Sequence, residues 1–257
     1  MPALPMPAWP NGKARSLPLR AFRSRALRPN MGSLGRGVLG QKRGFVVTRI
    51  ELVVRRNLPT GVRRLLRLGR HALVKGGSSP PLPRHLATDC RFSASRYDLV
   101  EALPTRGCIA EVGSYKGDFA RHILARCDPV DLHLIDLDFS LLDPAVAAEP
   151  RVRKHAGQSH EVLASFPDQH FDWVYIDADH SYAGTSRDAF AAAPKVKHGG
   201  YLVFNDFAHL DPQLGAYGVH RAVVEFAIAK DWPFAWFAYD ANALYDVALQ
   251  RPLQSDC

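Results

Sequence analysis

Between residues 86 and 257, short apolar runs alternate with helical stretches, and that alternation leaves few folds open. The apolar runs are CIAEVG (108–113), LHLIDLD (132–138), VRKHAG (152–157), FDWVYIDAD (171–179) and GYLVFND (200–206). Helical character appears at 116–127, 139–148, 159–165, 182–193 and 217–230. A strand that returns through a helix to a parallel neighbour needs both faces of its sheet covered, so the pattern predicts an α/β fold with helices on both sides of a parallel sheet. Two final runs, WPFAWFAYD and ALYDVALQR, are joined by a short Asp-Ala-Asn turn. They predict a C-terminal antiparallel hairpin that brings the sheet to seven strands. About 170 residues suffice to bury close to 70% of their extended-chain surface, so 86–257 is read as one domain.

The region before it differs in kind. Residues 1–85 hold 18 Lys and Arg against one acid, Glu51, a balance of +17, whereas 86–257 hold 15 against 24, a balance of −9. The overall charge of +8 therefore describes neither part. Residues 1–43 are rich in Pro, Arg, Gly and Ser and contain no acid. Such a segment buries too little apolar surface to offset its ordering entropy, which predicts a disordered basic arm. The composition also resembles an organellar transit peptide, although prolines at 2, 5, 7, 10 and 18 spoil the amphipathic helix that reading needs. Translation from Met31 is a third reading.

Residues 44–85 begin with a β-branched run, FVVTRIELVV (45–54). A helical pattern follows, with Val62, Leu65, Leu66 and Leu73 on one face and Arg63, Arg64, Arg67 and Arg70 on much of the rest. It fits a helix packed on the domain with solvated arginines, or one lying on an anionic membrane surface or polyanion. GGSSPPLP (76–83) then reads as a linker. No apolar run nears the roughly 18–20 residues that span a bilayer, and a cytoplasmic protein is expected. Cys90, Cys108, Cys127 and Cys257 form no CxxC pair and no zinc-like Cys/His spacing. That speaks against a disulfide scaffold and a structural zinc site.

The chemistry gathers at the strand ends. The first strand-to-helix turn reads Glu111-Val-Gly113-Ser114-Tyr-Lys-Gly117. Ligands of open α/β sheets bind at the carboxyl ends of strands, where glycine lets backbone approach them closely. A dinucleotide fingerprint would need glycine where Tyr115 stands, and no Gly-Lys-Ser/Thr cradles a phosphate. A nucleoside ligand without a pyrophosphate fits better. Asp136, ending the second run 25 residues after Glu111, can accept both hydroxyls of a ribose.

With these residues the sequence resembles the class I S-adenosylmethionine-dependent methyltransferases, over roughly residues 95–250. Glu111-x-Gly113-x-x-x-Gly117 is similar to their first motif and Asp136 to their acidic second. Three stretches look closest to the small O-methyltransferases of the catechol and caffeoyl-coenzyme A type and related bacterial enzymes. Gly157-Gln-Ser159-His160 is similar to a segment placed against adenine, and Asp177-Ala-Asp179-His180 to a segment whose first Asp is a metal ligand. Asn205-Asp206 resembles a metal-binding Asp-Asn pair in reversed order, and His180 stands where those enzymes carry a catalytic lysine.

The resemblance implies a Rossmann-like methyltransferase sandwich. Glu111, Gly113, Ser114 and Gly117 would surround the methionine end of the cofactor, Asp136 the ribose, and Ser159 and His160 the adenine, with Asp177 adjoining. Asp177, Asn205 and Asp206 would hold Mg²⁺ or another divalent cation against a substrate hydroxylate. His180, beside Asp177, is the candidate catalytic base. Asp179 is expected to cap the helix near Ser181. Tyr115 and Lys116 are expected to shape the cofactor pocket, or Lys116 to be merely solvated. His209 and His220, near the acceptor entrance, are read as bystanders, and Trp232, Phe234, Trp236 and Phe237 as hairpin core.

The expected activity is methylation of oxygen on a small molecule or glycan. One rival is transfer to nitrogen or a macromolecule, with the basic arm on RNA or a membrane; another is a non-catalytic scaffold. The −9 of the domain and its lack of interleaved aromatic and basic residues speak against nucleic acid. A homodimer remains an open expectation.

Overall fold

The computed structural model describes residues 79–208, 210–211 and 215–254. The basic arm (1–43), the run at 45–54, the arginine-rich helix, the start of the linker and His209 lie outside the described residues. The described chain runs β1 (Arg91–Ser93), α1 (Arg96–Glu101), β2 (Cys108–Val112), α2 (Asp118–Arg126), β3 (Asp131–Asp136), α3 (Pro144–Ala147), β4 (Val152–Ala156), α4 (Ser159–Ser165) and β5 (Phe171–Ile176). It continues through α5 (Tyr182–Ala192), β6 (Val196–Phe204), β7 (Leu210–Asp211), β8 (Gly215–Ala216), α6 (Val219–Lys230), β9 (Phe234–Ala238) and β10 (Asp246–Gln250).

One sheet has the order β1-β9-β10-β6-β5-β2-β3-β4. The block from β6 to β4 is parallel, and β10 runs antiparallel to both β6 and β9. This is a Rossmann-like methyltransferase fold. All seven expected strands are present, and β1 adds an eighth at the edge by pairing parallel to β9. A separate two-stranded hairpin, β7-β8, follows β6. Among the described residues no helix is long and apolar enough to cross a membrane.

Alternation along the strands divides the core. Ile109, Leu132, Leu134, Trp173 and Tyr175 meet Leu99 and Val100 of α1, Phe119 and Ile123 of α2 and Val146 of α3. Ala110, Val112, Ile135, Val174 and Ile176 meet Leu163 of α4, Ala189 of α5 and Val223 and Phe226 of α6. Fully burying such a side chain contributes roughly 1.5–3 kcal/mol. The chain steps from β2 to β3 and β4 on one side, then to β5 and β6 on the other. That reversal between β2 and β5 is the topological switch point at which open α/β sheets place a ligand.

Two caps fix loops at that end. Ser181 Oγ accepts the Gly184 N–H at 3.0 Å and starts α5. Asp179, expected as the cap, stands two residues earlier and accepts the Ser181 N–H at 2.8 Å. Gly117 begins α2 with φ +81, a left-handed conformation that glycine adopts without a Cβ penalty. Trp232 and Phe234 are buried as hairpin core, while Trp236 and Phe237 are half-buried.

Candidate active site

The loops after β2 and β5 touch backbone to backbone. Gly113 N–H donates to Ile135 O at 2.8 Å and Asp177 N–H to Val112 O at 2.8 Å. A β-carbon at Gly113 would stand 1.9 Å from the Asp177 carbonyl oxygen, and φ there is +87. Only glycine permits this approach, which draws Ser114 and Asp177 together across the switch point.

Glu111 and Ser114 are almost sealed from solvent, at 2% and 4% exposure. Glu111 Oε2 and Ser114 Oγ have no hydrogen-bond partner. A buried polar atom left so is destabilising by about 1–3 kcal/mol, which marks a place where a polar ligand belongs. Burial pushes the Glu111 carboxyl well above the usual carboxylate range; Asp177 and Asp136 push the same way, and Arg96 opposes them.

Asp136 lies on the neighbouring strand end. Its Oδ2 accepts the Tyr115 N–H at 2.9 Å and its Oδ1 the Leu137 N–H at 2.7 Å. Tyr115 has φ +45 to make that bond. Oδ1 also accepts the Asp138 N–H at a long 3.5 Å, so Oδ2 is the oxygen that keeps a lone pair for a further donor. Gly157 N–H donates to Asp136 O at 3.0 Å, which sets the start of α4 beside this carboxylate. The Ser159 hydroxyl, expected toward adenine, instead donates to Asp188 Oδ1 at 2.6 Å; Asp188 is buried and burial raises its pKa. His160, the next residue, is half-buried. Lys116 Nζ sits 5.3 Å from the centroid of exposed Tyr115.

Beyond β5 and β6 the polar groups form one connected set. Asn205 Nδ2 donates to Asp177 Oδ1 at 2.9 Å, and Asn205 Oδ1 accepts from Arg96 Nη1 at 3.2 Å. Tyr175 Oη lies 3.1 Å from Asn205 Oδ1 and donates to Asp246 Oδ2 at 2.6 Å. Asp246, 4% exposed, is pushed up to about 7, chiefly by burial. The Arg96 guanidinium also covers the Phe119 ring at 5.0 Å. Arg96, Tyr175 and Asp246 escaped the sequence reading. A lone Asp beginning an apolar strand was the available signal for Asp246, whereas α1 is too short to announce Arg96.

His180 Nε2 sits between two carboxylates, 3.4 Å from Asp177 Oδ1 and 3.7 Å from Asp206 Oδ2. Its ring stacks on Tyr217 at 4.7 Å and 9°. Burial opposes charge on the ring, but Asp177, Asp206 and Asp179 outweigh it and hold the pKa above the ordinary histidine value. Asp206, at φ +51, has its carboxyl raised by burial despite His180. The backbone is pinned as well: His180 O accepts from Gly218 N–H at 2.8 Å.

The cation expected on Asp177, Asn205 and Asp206 fits this donor set poorly. The Asn205 oxygen accepts from Arg96, and its nitrogen, not its oxygen, faces Asp177. The position between the two carboxylates is taken by an imidazole that can itself carry the charge. Asp177 and Asn205 are hydrogen-bonded to each other and Asp206 stands 3.7 Å from the His180 ring, so the three do not present a set of free oxygen ligands.

A cavity of about 550 Å³ beside α6 is lined in part by Phe207, His220, Phe234 and Phe237. It is separate from the strand ends, since neither Glu111, Asp136, Asp177 nor His180 lines it. The His220 and Phe207 ring centroids lie 4.8 Å apart, with the rings tilted by 48°.

Residues 110–207 match a family model described as a methyltransferase domain, a segment that contains every candidate residue from Glu111 to Asp206. Solved structures with a similar fold include a SAM-dependent methyltransferase from Methanosarcina mazei, at 13% identity and TM-score 0.49, covering 62% of this chain and 100% of that one. Another is an O-methyltransferase family protein from Burkholderia thailandensis, at 14% identity and TM-score 0.47, covering 62% and 56%. A SAM dependent methyltransferase from Aquifex aeolicus aligns at 12% identity and TM-score 0.46, covering 61% and 88%. No curated protein matches the chain in sequence.

Proposed function

We propose that this chain is an S-adenosylmethionine-dependent methyltransferase that acts on a hydroxyl of a small molecule or glycan, with His180 as general base and without a metal in the transfer step. The observation that carries the cofactor is the pair of buried, partnerless polar atoms, Glu111 Oε2 and Ser114 Oγ, at the switch point beside Gly113. When bound, the cofactor supplies an electrophilic methyl on a sulfonium. Glu111 and Ser114 would hold the charged methionine end. Asp136 would accept from the ribose through Oδ2, and His160 would adjoin the adenine.

The acceptor oxygen must lose its proton as it gains the methyl carbon. His180 Nε2 would take that proton; the nearness of Asp177 and Asp206, which would stabilise the imidazolium formed, supports this role. Asn205, held by Arg96, would keep Asp177 in position. The basic residues before position 86 are proposed to touch an anionic membrane surface rather than nucleic acid, the −9 domain being left free for its small acceptor.

The direct test is calorimetric titration of S-adenosylhomocysteine into the 257-residue protein. Micromolar binding at one site per chain is expected, with loss on Asp136→Ala; a folded protein that fails to bind overturns the reading.

A further inference from the structure

At the opposite ends of the strands a second group of ligating side chains comes together. Cys108 begins β2, His133 lies early in β3 and His170 immediately precedes β5. One ligand atom from each lies within 4.8 Å of the other two, and among the described residues no other three His, Cys, Asp or Glu side chains meet so closely. Cys108 Sγ is 3.3 Å from His170 Nε2. Bonds of about 2.0–2.3 Å to a tetrahedral ion put ligand atoms roughly 3.5 Å apart, so only a small contraction is needed. The group is remote from the candidate active site: the four residue steps from Cys108 to Val112 span about 13 Å.

Its surroundings are those of a metal site. His133 Nδ1 is 3.0 Å from His155 Nε2, and in the tautomer in which Nδ1–H donates to His155 the His133 Nε2 is bare for coordination. Phe166 and Phe171 present ring edges to His133 at 5.1 and 5.5 Å, walling one side with apolar carbon. Burial, with His155 and His170 adding to it, lowers His133 to about 4, so the ring is neutral and its lone pair available. Burial raises the Cys108 thiol to about 11, with Asp131 and Asp172 adding and Lys197 opposing. A cation of zinc type would displace that proton and take the thiolate.

We propose that Cys108, His133 and His170 bind a divalent transition metal of the zinc class, with His155 orienting His133 from behind. Thiolate and imidazole together suit zinc rather than Mg²⁺ or Ca²⁺. On binding, one Cys–S–H bond is exchanged for one S–metal bond and one proton leaves for solvent. The ion would tie together the starts of three adjacent strands, β3, β2 and β5.

The test uses the full chain, stripped with chelator, dialysed and shown to melt cooperatively. Co²⁺ serves as the spectroscopic probe. One equivalent is expected to produce a thiolate-to-metal charge-transfer band, release one proton, and be displaced by one equivalent of Zn²⁺. Zinc at about a hundred times its dissociation constant should raise Tm by roughly 5–10 °C, and Mg²⁺ should not. Cys108→Ser should abolish the band, and His155→Ala should weaken binding about 10- to 100-fold. No band in the folded wild-type chain, or a band that survives Cys108→Ser, overturns the proposal.

Discussion

The side chain on which the chemistry turns is His180, because a base acts only when neutral. Its pKa is raised, so the fraction able to take a proton falls as pH drops through a value above the ordinary histidine pKa of about 6.5. The expected kcat/KM profile has a single-proton acid limb centred above that value, and His180→Ala removes the limb while lowering the rate about 10²–10⁴-fold. A profile left unchanged by the variant would discard His180 as base. Asp246 gives a second residue-scale prediction, in stability. Its pKa moves from 3.8 to about 7 on folding, so between these values the folded protein binds the extra proton and stability falls as pH rises. Asp246→Asn should flatten denaturant-measured stability over about pH 4–7, while keeping a polar partner for Tyr175. Strand-end acids and glycines were legible in the sequence because strand ends are where such residues stand out. The Arg96–Asn205 bond was not, since its partners lie 109 residues apart and meet only through the fold.

At the scale of elements, the loops around the site depend on local caps. Ser181 supplies one bond to the first turn of α5, and Ser181→Ala should destabilise the chain by about 1 kcal/mol in chemical denaturation. Because that turn follows His180 directly, activity should fall further than stability alone explains. The long alternating elements were readable from their period, whereas β1 and α1 were not. Three residues show no alternation, and six show less than two turns. β1 exists because β9 offers it an open edge, and α1 because it packs against β9 and α2 with Leu99 and Val100 buried in the core.

For the molecule as a whole, two metal statements separate cleanly. If transfer needs no cation, turnover in excess chelator should be undiminished; loss of turnover restored by Mg²⁺ would reinstate the cation at Asp177. The same chelator should lower Tm if zinc holds the strand starts, so activity and stability report on opposite ends of the sheet. Cysteine spacing in the sequence spoke against zinc because linear spacing detects ligands only on one hairpin or helix turn. Cys108, His133 and His170 come from three strands and are assembled by the parallel order alone.

The contact of Gly113 with the Asp177 carbonyl has a consequence for how the site breathes. The Gly113 and Asp177 amides are both bonded into the sheet at 2.8 Å, and neither loop can lift without forcing the other. Their hydrogens should therefore exchange with solvent at the pace of the central strands rather than of surface loops, and together. The floor beneath cofactor and base would then open only when the sheet itself does, leaving the gating of substrate entry to the chain around it.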